Sequence, residues 1–356
     1  MHREPMAQLL IITNMWPEPS RPAYGVFVQR QVEGLRAAGV RCDVLYVRGY
    51  MSKLVYLLGV PLFLALTIAA RGRYRLAHVH GGEMALVARF LIATSMVATY
   101  HGDDVLGYKG DSGPVSLASR IRSFAIRAHA RTFAATVTQS REMHARLPAC
   151  ARRRDAVIHC GVDSSRFAPE DSREARRRLG WEQDERIVLF AATRPHEPRK
   201  RLDIAQAAIR RAESSVGAVR LAVAENVAPE LIPTMMNAAD CLLLTSMAEG
   251  SPVVVKEALM CNLPVVATDV ADVGELLAGI SPSAVRGHDP TELGDALADV
   301  LGAGRRSNGR AARPDLDHTT TVRRLLEMYA RLGLDVASRR EPLRARETED
   351  RTSIKR

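Results

Sequence analysis

Short apolar runs alternate with amphipathic stretches along most of the chain. The first run, at 8–13, is followed by a proline-rich loop. After that loop, Val28, Val32 and Leu35 share one face of a predicted helix, which Gly39 ends. Further strand candidates in this half lie at 40–47, 76–80, 96–101, 136–138 and 156–159. Alternating strands and helices are typical of a parallel sheet covered by helices on both faces.

A charged stretch at 161–186 separates this series from a second one. The second series has strand candidates at 187–193, 220–225, 241–245 and 264–268, and it ends in a helix predicted at 317–332. We therefore predict an α/β chain with an N-terminal domain at 1–162 and a C-terminal domain at 163–335. Residues 336–356 are charged and lack an apolar stripe, so we expect a disordered tail.

Composition narrows the class of protein and its partners. Of the 356 residues, 47% are hydrophobic but only 5% aromatic, which indicates an aliphatic core. The 5 cysteines are scattered without a C-x-x-C spacing, which argues against a disulfide framework and a zinc site. The net charge of +10 favours acidic partners such as phosphates or an anionic membrane face. The arginine runs at 152–154 and 176–178 are interpreted as solvated faces, and no motif accompanies them that would predict a nucleic-acid partner.

An almost continuous apolar run at 54–70 is flanked by basic residues and contains Pro61. The run is at the short end of the range for a membrane span. Three interpretations stay open: a buried helix of the first domain, a helix docked on an anionic membrane face, and a span, of which the last is least favoured. The N-terminus lacks the pattern of a signal peptide, so we expect a cytoplasmic protein, with peripheral contact at the inner membrane face as an additional prospect.

The segment 241–268 carries the most specific pattern, a strand, a loop, a helix and a further strand. Ser251 is the predicted N-cap of the helix, Pro252 its first residue, and Asn262 its C-terminal cap. Free backbone N–H groups and the helix dipole make the start of such a helix a site for anions.

Two glutamates accompany this helix start. Glu257 follows Val253 by four residues and therefore shares its face, where a carboxylate is able to accept hydrogen bonds from ribose hydroxyls. Glu249 precedes the helix, and its carboxylate suits the hydroxyls of a sugar beyond the phosphates. Arg194, Arg199, Lys200 and Arg201 follow another strand candidate, a position at which phosphates bind.

The spacing Glu249-x7-Glu257 resembles the signature of the family-4 retaining glycosyltransferases, and it is especially similar to the branch of teichuronic-acid and exopolysaccharide transferases. The resemblance extends over about residues 8–335 and includes PAYGVFVQRQVEGLRAAG, HVHGG, TYHGDDVLG and RPHEPRKRLDIA. It implies the GT-B fold, in which two Rossmann-like domains face each other across a cleft. The terminal helix is then expected to pack back on the first domain.

The resemblance also implies roles for individual residues. The catalytic set is His101, Glu249, Arg194 and Lys200. The donor-binding set is Gly25, Asp104, Gly250, Ser251, Val253, Val254 and Glu257. Two departures from the family pattern affect these roles. The Arg194–Lys200 spacing is six where five is usual, so Arg199 or Arg201 stays open as the diphosphate partner. The loop after Glu249 reads GSPV where many members have GFGL, which removes a glycine from the phosphate loop.

The function implied is metal-independent transfer of a hexosyl group, with retention, from a nucleotide-diphosphate donor to a glycan or lipid-linked acceptor in cell-surface polysaccharide synthesis. No cofactor is expected beyond this substrate, and no metal, since Asp103–Asp104 is not a DxD motif. His78 and His80 are interpreted as structural residues at a strand end. The alternative function is a catalytically inactive, transferase-like scaffold in a polysaccharide assembly complex.

Overall fold

The protein is described by a computed structural model that covers residues 8–21, 24–48, 74–88, 95–107, 116–152, 155–192, 194–225 and 227–334. Two parallel sheets organise it. The first has the order β2-β1-β3-β4-β5-β6 and the second β11-β10-β9-β7-β8. The strands are β1 Leu9–Thr13, β2 Cys42–Tyr46, β3 Leu76–His80, β4 Ser95–Thr99, β5 Ala135–Thr138, β6 Asp155–Val157, β7 Arg186–Ala191, β8 Val219–Ala224, β9 Cys241–Leu244, β10 Val265–Thr268 and β11 Ala284–Arg286.

Helices connect the strands of both sheets. In the described residues they are α1 Val26–Ala37, α2 Gly82–Ala88, α3 Asp103–Leu106, α4 Leu117–Ala130, α5 Arg141–Arg146, α6 Ala149–Arg152, α7 Ser172–Leu179, α8 Leu202–Val216, α9 Ile232–Ala238, α10 Val253–Met260, α11 Val273–Leu277, α12 Pro290–Ala303, α13 Gly309–Ala312 and α14 His318–Arg331. The predicted α/β architecture is confirmed.

Helix α1 shows how the sequence pattern produces packing. Its residues Val28, Val32 and Leu35 are fully buried and join β1 and β3 in one hydrophobic cluster. The helix starts after Gly25, whose φ of 78° lies in the left-handed region. A Cβ there would lie 2.3 Å from the carbonyl carbon of Met15, so only glycine fits.

The terminal helix α14 packs on the first sheet although it follows the second. Its residues Val322, Leu325 and Tyr329 belong to the same buried cluster as Leu9 and Ile11 of β1. This agrees with the packing expected from the sequence. The division of the whole chain into domains at 1–162 and 163–335 stays a prediction.

The run at 176–178 corrects the prediction of a solvated face. Arg176 is buried, and its guanidinium donates to the carbonyl oxygen of Ala238 and to both carboxylate oxygens of Asp240. It therefore ties α7 to the end of α9 and to the loop before β9. Arg177 and Arg178 are exposed and pair with neighbouring glutamates, as a solvated face would.

Two predictions concern residues outside those described, namely the apolar run at 54–70 and the tail at 336–356. Within the described ranges, no helix combines the length and the apolar character that crossing a bilayer requires.

Candidate active site

His101 stands just beyond the C-terminal end of β4, at the sheet edge where parallel α/β proteins bind ligands. Its backbone N–H donates to a carboxylate oxygen of Asp104 over 3.0 Å. The N–H of Gly82 donates to the same side chain, and burial raises the Asp104 pKa. Asp104 therefore holds the turn that presents His101, and its contact with the donor stays a prediction.

The two domains meet at this turn through glycines. A Cβ on Gly102 would lie 2.3 Å from the Cα of Gly250, and a Cβ on Gly250 would lie 2.2 Å from the carbonyl oxygen of His101. Side chains do not fit at such distances, so the loop after β9 approaches the first domain backbone to backbone. This contact brings the predicted residues His101 and Gly250 together.

A chain of polar side chains supports the imidazole of His101 from behind. Nδ1 of His80 is 3.3 Å from Nε2 of His101, and the amide nitrogen of Gln31 is 3.2 Å from Nε2 of His80. With that amide donating, His80 carries its proton on Nδ1 and donates to His101, whose own proton then lies on its Nδ1. Burial lowers the pKa of His80 to about 3 and that of His101 well below its usual value, so both rings are neutral.

The structure revises the interpretation of the HVH motif. His78 is structural, as predicted. Its Nδ1 contacts the hydroxyl of Tyr329, and its Nε2 contacts the hydroxyl of Thr99. His80, two residues further along β3, contacts His101 instead. This contact holds the ring of His101 from behind, and the sequence analysis did not predict it. The signal was a second histidine at the carboxyl end of a wholly buried strand.

An ion pair joins the basic turn 198–201 to the loop after β9 of the second sheet. Lys200 Nζ lies 2.5 Å from Oε1 of Glu249, and both side chains are largely buried. The hydroxyl of Thr245 donates to the carbonyl oxygens of Lys200 and Arg201, which holds the turn on β9. Arg201 bonds to Asp203 instead of pointing at Glu249. Of the candidates left open, Lys200 is therefore the one placed on Glu249.

Two further arginines of this cluster share one carboxylate. Arg194 is 3.1 Å and Arg199 2.9 Å from Glu197, and the Arg194 side chain is 69% exposed. Arg199 also lies within electrostatic reach of Glu249 and of Asp103 in the first domain. Arg199 thus faces the cleft more closely than Arg194, which the sequence analysis preferred.

The start of α10 differs from the prediction in its cap. The N-cap is Pro252, and the helix begins at Val253. Ser251 does not cap it, because its hydroxyl donates to Oδ2 of Asp272 over 2.6 Å. The C-cap is Cys261 and not the predicted Asn262, which follows it in the left-handed conformation at φ 54°.

Glu257 lies one turn into α10, on the half-buried face that it shares with Val253 and Val254. Burial raises the pKa of its carboxyl to about 7, and the charges of Arg30 and Arg166 oppose this rise. Arg30 belongs to α1 of the first domain, so Glu257 is influenced by charges from both domains.

Behind the same helix lies a buried polar cluster that the sequence analysis missed. Lys256 is fully buried, and its ammonium has no hydrogen-bond partner among the described residues. Burial lowers its pKa, while the charge of Asp272 opposes this effect. Nδ1 of His159 is 3.8 Å from Oδ2 of Asp272. A lysine within the apolar run VVVKEALM was the available signal.

The first domain contributes a cavity of about 500 Å³ beside His101. It is lined by Asn14, Met15, Tyr24, Gly81, Gly82, Glu83, His101, Asp103, Asp104, Ser116, Ala118, Ser119 and Arg122. In this wall the guanidinium of Arg122 pairs with the carboxylate of Glu83 at 2.8 Å. Among its described residues, the wall carries the carboxyl groups of Glu83, Asp103 and Asp104 but a single cationic side chain, that of Arg122.

Comparisons with known proteins agree with this architecture. Residues 196–303 match the family model for glycosyl transferases of group 1. D-inositol 3-phosphate glycosyltransferase of Mycolicibacterium vanbaalenii is 31% identical over 242 residues, which cover 56% of this chain and 53% of that protein. The protein of the same name from Mycobacterium avium is 28% identical over 306 residues, 73% of this chain and 70% of that protein. The match thus spans little more than half the length of the first of these relatives.

Solved structures show the same fold at low sequence identity. Sucrose-phosphate synthase from Thermosynechococcus elongatus gives a TM-score of 0.74 at 18% identity, covering 92% of this chain and 99% of that one. HepE of Anabaena in complex with UDP and glucose gives 0.67 at 15% identity, covering 91% of this chain and 100% of that one.

The chain is therefore an α/β protein with the GT-B fold. Within that fold, residues 196–303 resemble the group 1 glycosyltransferases, which agrees with the family resemblance of the sequence. The finer assignment to the teichuronic-acid branch is not supported, because the curated relatives named above are D-inositol 3-phosphate glycosyltransferases.

Proposed function

We propose that the protein transfers a hexosyl group from a nucleotide-diphosphate sugar to a hydroxyl acceptor, with retention of the anomeric configuration. The observation that carries this proposal is the ion pair of Lys200 with Glu249, next to the backbone contact of Gly250 with His101. A cation and a carboxylate of the second domain thus lie next to the backbone of His101, which supports a site between the two domains.

The donor binds mainly to the second domain in this proposal. Its diphosphate lies at the start of α10 and against Lys200, with Arg199 or Arg194 as the second cation. The ribose hydroxyls donate to Glu257, and the sugar hydroxyls donate to Glu249. The structure of HepE holds UDP and glucose, which supports a uridine nucleotide as the first candidate here.

The reaction follows from these placements. The bond from the anomeric carbon to the diphosphate oxygen breaks, and the acceptor oxygen bonds to that carbon from the same face. The acceptor proton passes to the departing diphosphate. Negative charge grows on the diphosphate as the bond breaks, so Lys200 and the free N–H groups of α10 stabilise the transition state more than the ground state. His101 contacts the sugar near the reacting carbon.

The acceptor enters through the first-domain cavity. Glu83, Asp103 and Asp104 line it, and its cation Arg122 is paired with Glu83. Such a wall suits an uncharged, hydroxyl-rich acceptor and disfavours a phosphorylated one. We therefore propose a glycan or lipid-linked sugar, at the cytoplasmic face of the membrane in cell-surface polysaccharide synthesis, although the curated relatives are named for inositol 3-phosphate.

The test is an assay of UDP release from UDP-sugars, followed by NMR of the glycoside formed with a panel of neutral and phosphorylated acceptors. We expect UDP release and a product with the anomeric configuration of the donor. An inverted product would contradict retention. Nucleotide binding with no turnover on any donor would favour the scaffold alternative.

A further inference from the structure

Helix α4 exposes three large apolar side chains in a row. Leu117, Ile121 and Phe124 are 71%, 61% and 67% exposed, and they follow one another at intervals of four and three residues. That spacing places them on one helical face. The opposite face, which contains Ile126 and Ala130, is buried in the first domain. The helix is therefore anchored to the protein by one face and presents a second apolar stripe outward.

Arginines border this apolar stripe. At 100° per residue, Arg120, Arg127 and Arg131 fall together along one edge of the stripe. The helix LASRIRSFAIRAHA contains no acidic residue. Among the described residues, neither Arg120 nor Arg131 forms an ion pair, whereas Arg127 donates to the carbonyl oxygen of Val105. An apolar stripe with a cationic edge is the pattern of a helix that lies in a membrane interface.

The same helix also forms part of the wall beside His101. Its first residues Ala118 and Ser119 line the first-domain cavity together with Arg122. The stripe therefore lies next to the cavity in which the acceptor is proposed to bind. A partner surface bound to the stripe would therefore lie close to that cavity.

We propose that the stripe of Leu117, Ile121 and Phe124, with its edge of Arg120, Arg127 and Arg131, docks this protein on an anionic lipid bilayer. A second copy of the chain is the less suitable occupant. Two copies meeting through this stripe would bring arginine edges together, and the helix has no carboxylate to neutralise them. An anionic headgroup layer accepts the arginines while the apolar side chains enter the acyl boundary.

Docking itself requires no catalysis. Only its purpose, which is to bring the cavity to a lipid-linked acceptor, rests on the proposed function. The docking is thus testable apart from sugar transfer.

The experiment is flotation of the full chain with vesicles of phosphatidylcholine alone and of phosphatidylcholine with phosphatidylglycerol. The test variant is the double substitution Ile121→Ser with Phe124→Ser. The matched control is Leu231→Ser, because Leu231 is an exposed leucine of the second domain, at 45%. Neither test position lines the cavity, so melting temperature and UDP release on a water-soluble acceptor should be unchanged.

We expect the wild type and the Leu231 variant to float with anionic vesicles and not with neutral ones, and the bound fraction of the double variant to fall at least about fivefold. Replacing Arg120 and Arg131 by glutamate should reduce binding further at low salt. Equal flotation of the double variant would place membrane contact elsewhere in the chain and overturn the proposal. So would a dimer in light scattering that the double variant abolishes. Flotation without sugar transfer would leave the docking intact and refute the proposed function alone.

Discussion

Gly250 of the second domain lies against Gly102 of the first, so closely that a Cβ on Gly102 would be 2.3 Å from the Cα of Gly250. Gly102 has a φ of 129°, which disfavours any residue with a side chain. Gly250 has no such backbone requirement, since its φ is not positive. Its lack of a side chain therefore serves the contact with the first domain alone.

Gly250→Ala should move the loop that holds Glu249 away from His101. The added methyl group would meet the carbonyl oxygen of His101 at 2.2 Å, which is a backbone atom and has no room to yield. Overpacking of this kind costs about 1–3 kcal/mol, and we expect it to appear as a turnover at least tenfold lower with a modest loss of thermal stability. Steady-state kinetics and thermal melting would measure both.

The control for this variant is Gly302→Ala in α12, where a Cβ would meet nothing within 4 Å. An alanine in that helix should leave turnover unchanged and stabilise the fold by about 0.5–1 kcal/mol. Full activity of the Gly250 variant would show that the observed approach of the two domains is not needed for catalysis.

Lys200→Ala should lower turnover more than it weakens donor binding, because the charge that Lys200 faces grows as the glycosidic bond breaks. We expect a loss of about 10²–10³-fold in kcat, the scale for one charge-stabilising group. Arg201→Ala is the matched control, since Arg201 is adjacent but engaged with Asp203. If the Arg201 variant loses as much turnover as the Lys200 variant, the assignment of Lys200 as the diphosphate partner is wrong.

His80 should affect catalysis only through His101. His80→Leu removes the polar contact with Nε2 of His101, so kcat should fall about tenfold or more while KM for the donor changes little. His80→Asn keeps a polar atom near the position of Nδ1 and should recover part of the loss. A purely structural role predicts instead that both variants lose melting temperature and activity in parallel.

We expect Glu257 to link nucleotide affinity to pH. Because burial raises the pKa of the Glu257 carboxyl to about 7, this carboxyl stays protonated below pH 7 in the nucleotide-free protein. The contribution of the bound proton to the free energy of unfolding is lost as the pH rises through 7. In the proposed site, the ribose hydroxyls donate to this carboxylate in its ionised form. UDP affinity should therefore rise between pH 6 and 8 and be accompanied by proton release, measurable by calorimetry in two buffers.

Glu257→Gln supplies the control for this pH dependence. In this variant UDP itself still titrates, but the carboxyl group at position 257 is absent. The variant should bind UDP more weakly, by about 1–3 kcal/mol, with a flatter pH profile. Identical pH profiles for wild type and variant would remove the Glu257 carboxyl from the nucleotide site.

The fold was predictable from the sequence because parallel strands buried on both faces appear as short apolar runs, such as LLIIT and CLLL. The edge strand β11 was missed since its three residues, Ala284–Arg286, are only partly buried and form no such run. The pattern Glu249-x7-Glu257 indicated the site because strand, loop and helix are contiguous in the chain.

Features that depend on contacts distant in sequence were not predictable. Ser251 has the residue type of an N-cap, but its hydroxyl donates to Asp272, which lies 21 residues later. The contact of Gly250 with His101 joins two domains, and no local pattern reports it. The sequence likewise did not indicate which basic residue contacts Glu249, because that depends on the hydrogen bond by which Thr245 holds the turn at Lys200.

The central claim, that the cleft between the domains binds a nucleotide-sugar donor, is tested most directly by the melting temperature in the presence of UDP, UDP-glucose and other nucleotides. A ligand that binds only the folded state stabilises it by about 2.7 kcal/mol at a hundred times its Kd. We predict a clear rise in the wild type with at least one nucleotide diphosphate or nucleotide sugar, and a much smaller rise in Glu257→Ala. An unchanged melting temperature with every nucleotide, or an equal rise in the Glu257 variant, would contradict the account.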